Sequence, residues 1–197
     1  HYSFDNEVFF EELIDFNDEK FQIRNDLDLE VLNNILFHVH IALWISYYKS
    51  YPTKQLILES GFLDGFQITF WQKFYKNWLG EFLYTNKISP EWLFNFVNNY
   101  PGVMKTSRLK KLISSNKALV ALWWWKDSIV SMELLKKAGI NYDLVVFWKN
   151  DELKINVAKK AEKEIFLIKR KISDNLFKLN KAWYYNWHVP ITWIIAF

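Results

Sequence analysis

Cysteine is absent from the 197 residues. Disulfides, thiolate metal sites and cysteine nucleophiles are therefore excluded, which fits a reducing compartment. Glycine is scarce: there are five, where ordinary usage predicts about 14. No initiator Met and no secretory leader open the chain. No uninterrupted apolar run reaches the roughly 18 to 20 residues that a membrane span requires. The chain stops within the apolar stretch Val189–Phe197, whereas termini are ordinarily exposed and polar. It therefore reads as a fragment. A strong charge of one sign is also missing: the formal net charge is +3, spread along the chain, so no nucleic-acid partner is expected.

What the chain does hold is apolar and aromatic. Hydrophobic residues make up 51% and charged residues 24%, enough for a packed core and against disorder. The length suits one domain or two small ones, and the pattern divides it at about residue 113. Residues 1–113 are expected to hold a short hairpin or meander around Asp5-Asn6, then a mainly helical region. The helical stretches run from Asp28 to Tyr51, from Phe66 to Tyr84, and onward from Ser89-Pro90-Glu91, with Ser89 as N-cap. Gln55–Leu58 suits a short strand or helix, and the basic run Lys105–Lys111 a solvated connection.

From residue 114 to 197 the pattern becomes strand, helix, strand, helix, strand. Its elements are Lys117–Leu122, Asp127–Ala138 closed by Gly139, Asp143–Phe147, Glu152–Glu164 and Ile165–Ile172. That alternation predicts an α/β fold with a parallel sheet and a site at the carboxyl ends of the strands.

The first strand-to-helix corner reads Leu122-Trp123-Trp124-Trp125-Lys126-Asp127-Ser128. Such a corner is where backbone N–H groups and the helix dipole attract phosphate. Lys126 offers a cation, Ser128 a hydroxyl, and Asp127 a carboxylate suited to magnesium. Three consecutive indoles contradict that use, because phosphate has to approach bare backbone free to take positive φ. An ordinary N-cap beside a dipole-matched acid would account for the same tripeptide with no ligand. With glycine at the three Trp positions, the corner resembles the Ser-Gly-Gly-x-Asp-Ser loop of PP-loop ATP pyrophosphatases. The same exchange is sensible at Trp44, Trp78, Trp148, Trp183, Trp187 and Trp193; nine glycines added to the five present make 14. Trp71, and with it Trp92, fit better as true tryptophans. The pattern is that of UGA codons, which some bacterial lineages read as glycine, written out under another code. Coding triplets of UGG at positions 123–125 would refute this.

Read so, the chain resembles the ATP-dependent UDP-N-acetylmuramoyl-L-alanyl-L-glutamate epimerase family, whose members are about twice as long. The residues that carry the likeness are Tyr2–Asp5, Phe10–Glu12, Ile45–Lys49, Phe74–Phe82, Leu122–Ser128 and, most specifically, Leu179–Thr192. That last segment resembles the family's Asn-Gly-His-Val-Pro-[Val/Ile]-Thr signature. The resemblance implies a truncated PP-loop nucleotide-binding domain in a cytoplasmic isomerase of peptidoglycan-precursor synthesis. Its cofactors would be ATP and Mg²⁺, and its substrate the UDP-MurNAc-dipeptide. It places positions Trp123, Trp124 and Trp125 with Lys126 and Ser128 against phosphate, Asp127 on magnesium, and Phe147 and Trp148 beside the adenine. His188 and Asn186, with Thr192 beside them, become candidates for substrate contact or proton transfer.

Other readings stand beside these. The loop alone admits another PP-loop amidating or thiolating ligase. The literal sequence also suits a non-catalytic Trp-rich binding module whose indoles stack on sugars or bases. As written, with indoles in the phosphate site, the fragment is expected to be inactive. A His before Val-Pro, as His188 is, is more often a structural loop residue, while His38 and His40 belong to packing or to the surface. Tyr47, Tyr48, Lys49 and Glu81 either reach a nucleotide-sugar or form a solvated helix face.

Overall fold

A computed structural model describes residues 1–16, 26–102, 117–123, 126–147, 149 and 151–182. The expectations for the basic run 105–111 and for the segment from 183 onward lie outside these residues. The described elements form two compact units.

The first unit opens with the expected hairpin. Strands β1 (Tyr2–Phe4) and β2 (Val8–Phe10) pair antiparallel. Asp5 and Asn6 between them both take positive φ, 49° and 57°, the conformation a tight hairpin turn demands and Asp and Asn tolerate. Helix α1 (Asp26–Tyr48) follows. Its stretch Leu29–Tyr48 is long and apolar enough to cross a membrane by length and composition, polar interruptions included. A third of that window, mostly in the second half of the helix, is buried. Phe37, Ile41, Ala42, Ile45 and Tyr48 sit in the unit's core with Trp71, Tyr75, Leu79 and Phe94.

Two expectations in this unit need correction. The single helix from Phe66 to Tyr84 is two helices, α2 (Gly65–Trp78) and α3 (Gly80–Thr85). They break at Leu79, whose ψ of 7° turns the chain while its side chain stays buried; periodicity alone cannot show a turn that keeps the apolar stripe intact. Asp64 caps α2 in a capping box with Gln67. The helix expected from Ser89 is one 3-10 turn, Pro90–Trp92. Phe94 then takes φ 66°, and Asn95–Asn98 extends as a strand parallel to Gln55–Leu58. In chain order these are β4 (Gln55–Leu58) and β5 (Asn95–Asn98), with β3 described below. Pairing with β4 and burial of Phe94 and Phe96 outweigh a local N-cap signal. Helix α6 (Asp174–Lys181) completes this unit, its Asn175 side chain donating to the Phe9 carbonyl at 2.8 Å.

The second unit is built on a four-stranded sheet ordered β3-β8-β7-β6. Strands β6 (Lys117–Ala121), β7 (Asn141–Phe147) and β8 (Ile165–Lys171) are mutually parallel, as expected. The edge strand β3 (Leu13–Asp15) runs antiparallel to β8. Helices α4 (Lys126–Lys137) and α5 (Glu152–Lys160) connect the parallel strands. Gly139 follows α4 at φ 66°, the left-handed closing position foreseen for it. Helix α5 ends four residues before the expected Glu164, where Glu162 turns left-handed at φ 55°. Val120, Leu122, Met132, Tyr142, Leu144, Val146 and Ala158 make the core between sheet and helices. The architecture is thus mixed α/β, with an N-terminal hairpin, a helical region and a sheet containing parallel strands.

Candidate functional site

The parallel register Ala121↔Val145 brings the carboxyl ends of β6 and β7 side by side. Leu122 extends that pairing, its N–H donating to the Val145 carbonyl at 2.8 Å. The chain then leaves the sheet at Trp123 and enters α4 at Lys126. A helix N-terminus next to strand ends concentrates unpaired N–H groups and the positive end of the helix dipole.

A cavity of about 120 Å³ lies at this corner, lined by Leu122, Trp123, Lys126, Ile129, Leu153, Lys154 and Val157. Small-molecule sites usually need about 300 to 1,000 Å³. As written, with Trp123 in its wall, the cavity is too small for a nucleotide. Ser128 is buried in the first turn of α4, where its hydroxyl donates to the Trp123 carbonyl at 3.4 Å, closing the corner. Asp127 is exposed in the same turn, and its carbonyl accepts from the Ser131 hydroxyl at 2.8 Å.

The second corner, from β7 to α5, carries a feature the sequence reading passed over. Lys154 is 5% exposed. Its ammonium donates to the Asp151 carboxylate at 2.9 Å and to the Lys149 carbonyl at 3.1 Å. Asp151 is the N-cap of α5 and accepts from the Lys154 backbone N–H at 3.0 Å. The Lys154 ammonium, then this backbone donor, hold the Asp151 carboxyl below its usual range. Within a run rich in solvated lysines, only the Asp-x-x-Lys spacing after the strand hinted that one lysine turns inward.

Of the expected site residues, Trp123 and Lys126 share the cavity wall, with Asp127 and Ser128 in the adjoining turn. Phe147 ends β7, half-buried, and is not among the residues lining the cavity. Trp124, Trp125, Trp148, Asn186 and His188 lie outside the described residues.

In the other unit, Tyr47 and Tyr48 are fully buried, and the Tyr48 hydroxyl donates to the Thr53 carbonyl at 2.6 Å. Neither offers a solvated surface to a sugar; their rings fill the core because the second half of α1 is enclosed. Lys49 is half-buried over the Phe82 ring at 5.9 Å, its pKa lowered by burial against the pull of Glu81. His38 and His40 pack as expected. The Trp71 indole N–H donates to His38 Nδ1 at 3.2 Å, and His40 stacks on Tyr2 at 4.4 Å.

Comparison of the whole sequence with known families decides the affiliation: residues 1–197 match the family described as the MurL N-terminal domain. The chain belongs to that family. Among its relatives are three proteins named UDP-N-acetyl-alpha-D-muramoyl-L-alanyl-L-glutamate epimerase. The one from Xanthomonas oryzae pv. oryzae is 28% identical over 155 residues, covering 78% of this chain and 33% of that protein. The one from Micromonospora sp. is 29% identical over 169 residues, covering 85% of this chain and 37% of that protein. The one from Salinispora tropica is 27% identical over 169 residues, 85% of this chain and 36% of that protein. The match thus spans about a third of each relative's length. No solved structure matches the chain.

Proposed function

We propose that this chain is the N-terminal part of an epimerase that inverts the terminal L-Glu of UDP-MurNAc-L-Ala-L-Glu, using ATP to activate the glutamate. Family membership and the relatives' names support the epimerase reading. The observation that carries the ATP reading is the cavity where β6 meets α4, with Lys126 in its wall and Asp127 and Ser128 in the adjoining turn. The same reading, with a nucleotide-linked precursor and ATP as co-substrate, is of a cytoplasmic reaction.

In this reading a carboxylate oxygen of the terminal glutamate attacks the α-phosphorus of ATP, and pyrophosphate leaves. The acyl-adenylate so formed acidifies the neighbouring Cα–H. A base takes that proton, a proton is returned to the opposite face, and hydrolysis of the acyl-adenylate releases AMP and the D-Glu product. Lys126 and the N–H groups at the start of α4 counter the phosphate charge. No group of three or more His, Asp or Glu poised for a metal occurs among the described residues. Asp127 supplies an exposed carboxylate in the first turn of α4, which fits magnesium arriving with the nucleotide phosphates and taking one protein carboxylate. His188 and Asn186 remain the proposed substrate-contact or proton-transfer residues, and Phe147 and Trp148 the proposed adenine neighbours. Glycine at 123–125 is part of the proposal, because the present cavity cannot admit the nucleotide.

Calorimetry with ATP and magnesium tests it on the chain as written and on its W123G/W124G/W125G variant. The variant is expected to bind at least about tenfold tighter than the Trp form. Equally tight binding by the Trp form would overturn the steric argument. Coding DNA with UGG at the three codons would overturn the glycine reading. In the longer natural protein, inversion of L-Glu should accompany release of AMP and pyrophosphate; inversion without ATP would remove the adenylation step.

A further inference from the structure

The wall of the corner cavity combines two cations, Lys126 and Lys154, with the apolar side chains of Leu122, Ile129, Leu153 and Val157, and no carboxylate lines it. An ammonium held 5% exposed loses most of its hydration, a cost of several kcal/mol unless partners replace the water. Asp151 and the Lys149 carbonyl are among the partners that replace it. They also fix the ammonium's position, since Asp151 is itself anchored as the cap of α5. The outcome is an ammonium whose place in the cavity wall is fixed by its pairing with Asp151, beside apolar groups that leave charge interactions weakly screened.

We propose that Lys154 is the second cation of this site, gripping with Lys126 the phosphate or pyrophosphate portion of the bound nucleotide. The assignment rests on the ATP reading for the source of that anion. The chemistry it specifies is narrower: a multiply charged phosphate held between two lysines from successive strand-to-helix corners. Asp151 is then a positioning residue that aims Lys154.

The test uses the full W123G/W124G/W125G chain titrated calorimetrically with inorganic pyrophosphate and, in a separate arm, with ATP and magnesium. K154Q in that background should weaken pyrophosphate binding by about tenfold or more, while K154R, which keeps the charge, should stay within about threefold of the parent. The side-chain NMR signal of Lys154 in the folded parent should shift on addition of pyrophosphate; this measurement stands even where K154Q fails to fold. Unchanged affinity in K154Q, no pyrophosphate binding by the parent, or an unmoved Lys154 signal would each overturn the assignment. Pyrophosphate binding that depends on Lys154 without ATP binding would sustain the lysine pair and remove the nucleotide reading. ATP binding indifferent to K154Q would do the reverse.

Discussion

Glu12 and Arg170, 158 positions apart in sequence, form an ion pair in which each side chain is only 2% exposed. The register Ile14↔Arg170 between β3 and β8 sets Glu12 diagonally across from Arg170. Removing one partner leaves a buried charge uncompensated. E12A is therefore expected to cost about 3 to 5 kcal/mol in urea unfolding. An E12L/R170M double substitution, apolar on both sides, should recover most of that loss. A cost below about 1 kcal/mol for E12A would show that water reaches the pair.

The tryptophans should divide sharply in what their removal does. Trp71 is 1% exposed, packed among Phe74, Tyr75 and His38, so W71A should cost about 3 to 5 kcal/mol. Trp92, 70% exposed, should change stability by less than about 0.5 kcal/mol when replaced by Ala. Peptide mass spectrometry of the natural protein should find tryptophan at position 71 and glycine at positions 123–125. Glycine at 71 would contradict the packing of this core.

Magnesium dependence should reside in Asp127. In the W123G/W124G/W125G chain, D127N is expected to weaken ATP binding by about tenfold with magnesium present. With the metal removed by EDTA, parent and variant should bind alike. An equal loss in both conditions would assign Asp127 to helix capping rather than to the metal.

Acidification should destabilise the unit that contains α1. Burial lowers the His40 pKa to about 4, and burial lowers that of His38 as well. In the unfolded chain such groups titrate near 6.5. Between the two values the unfolded state holds protons the folded state refuses. This contribution is fully present above pH 6.5 and is lost as pH falls from there towards 4. For His40 it amounts to at most about 3 kcal/mol. Urea midpoints at pH 7.5 and 4.5, compared between the parent and H40Q, isolate it. An equal drop in both proteins would assign the acid sensitivity to other groups.

Sequence patterning by itself determined the hairpin at Asp5-Asn6, the long helix α1, and the parallel strands β6, β7 and β8 with α4 and its closing Gly139. Each is specified by residues close in the chain: turn formers that tolerate positive φ, an apolar stripe of helical period, short apolar runs bounded by caps. It also singled out the corner before Lys126, because three bulky indoles conflict with what such a turn is built to do. Tertiary structure alone decided the break at Leu79, the strand β5 in place of a third helix, and the recruitment of β3 to β8 through Glu12 and Arg170. It also decided which of many lysines turns inward as Lys154 to face the cavity with Lys126. The break, the strand β5 and the recruitment of β3 depend on partners tens of residues or more away, whose burial and pairing energies exceed the roughly 1 kcal/mol of local preference that a linear reading can weigh. Lys154 is held by neighbours in the chain, but only the fold sets it beside Lys126.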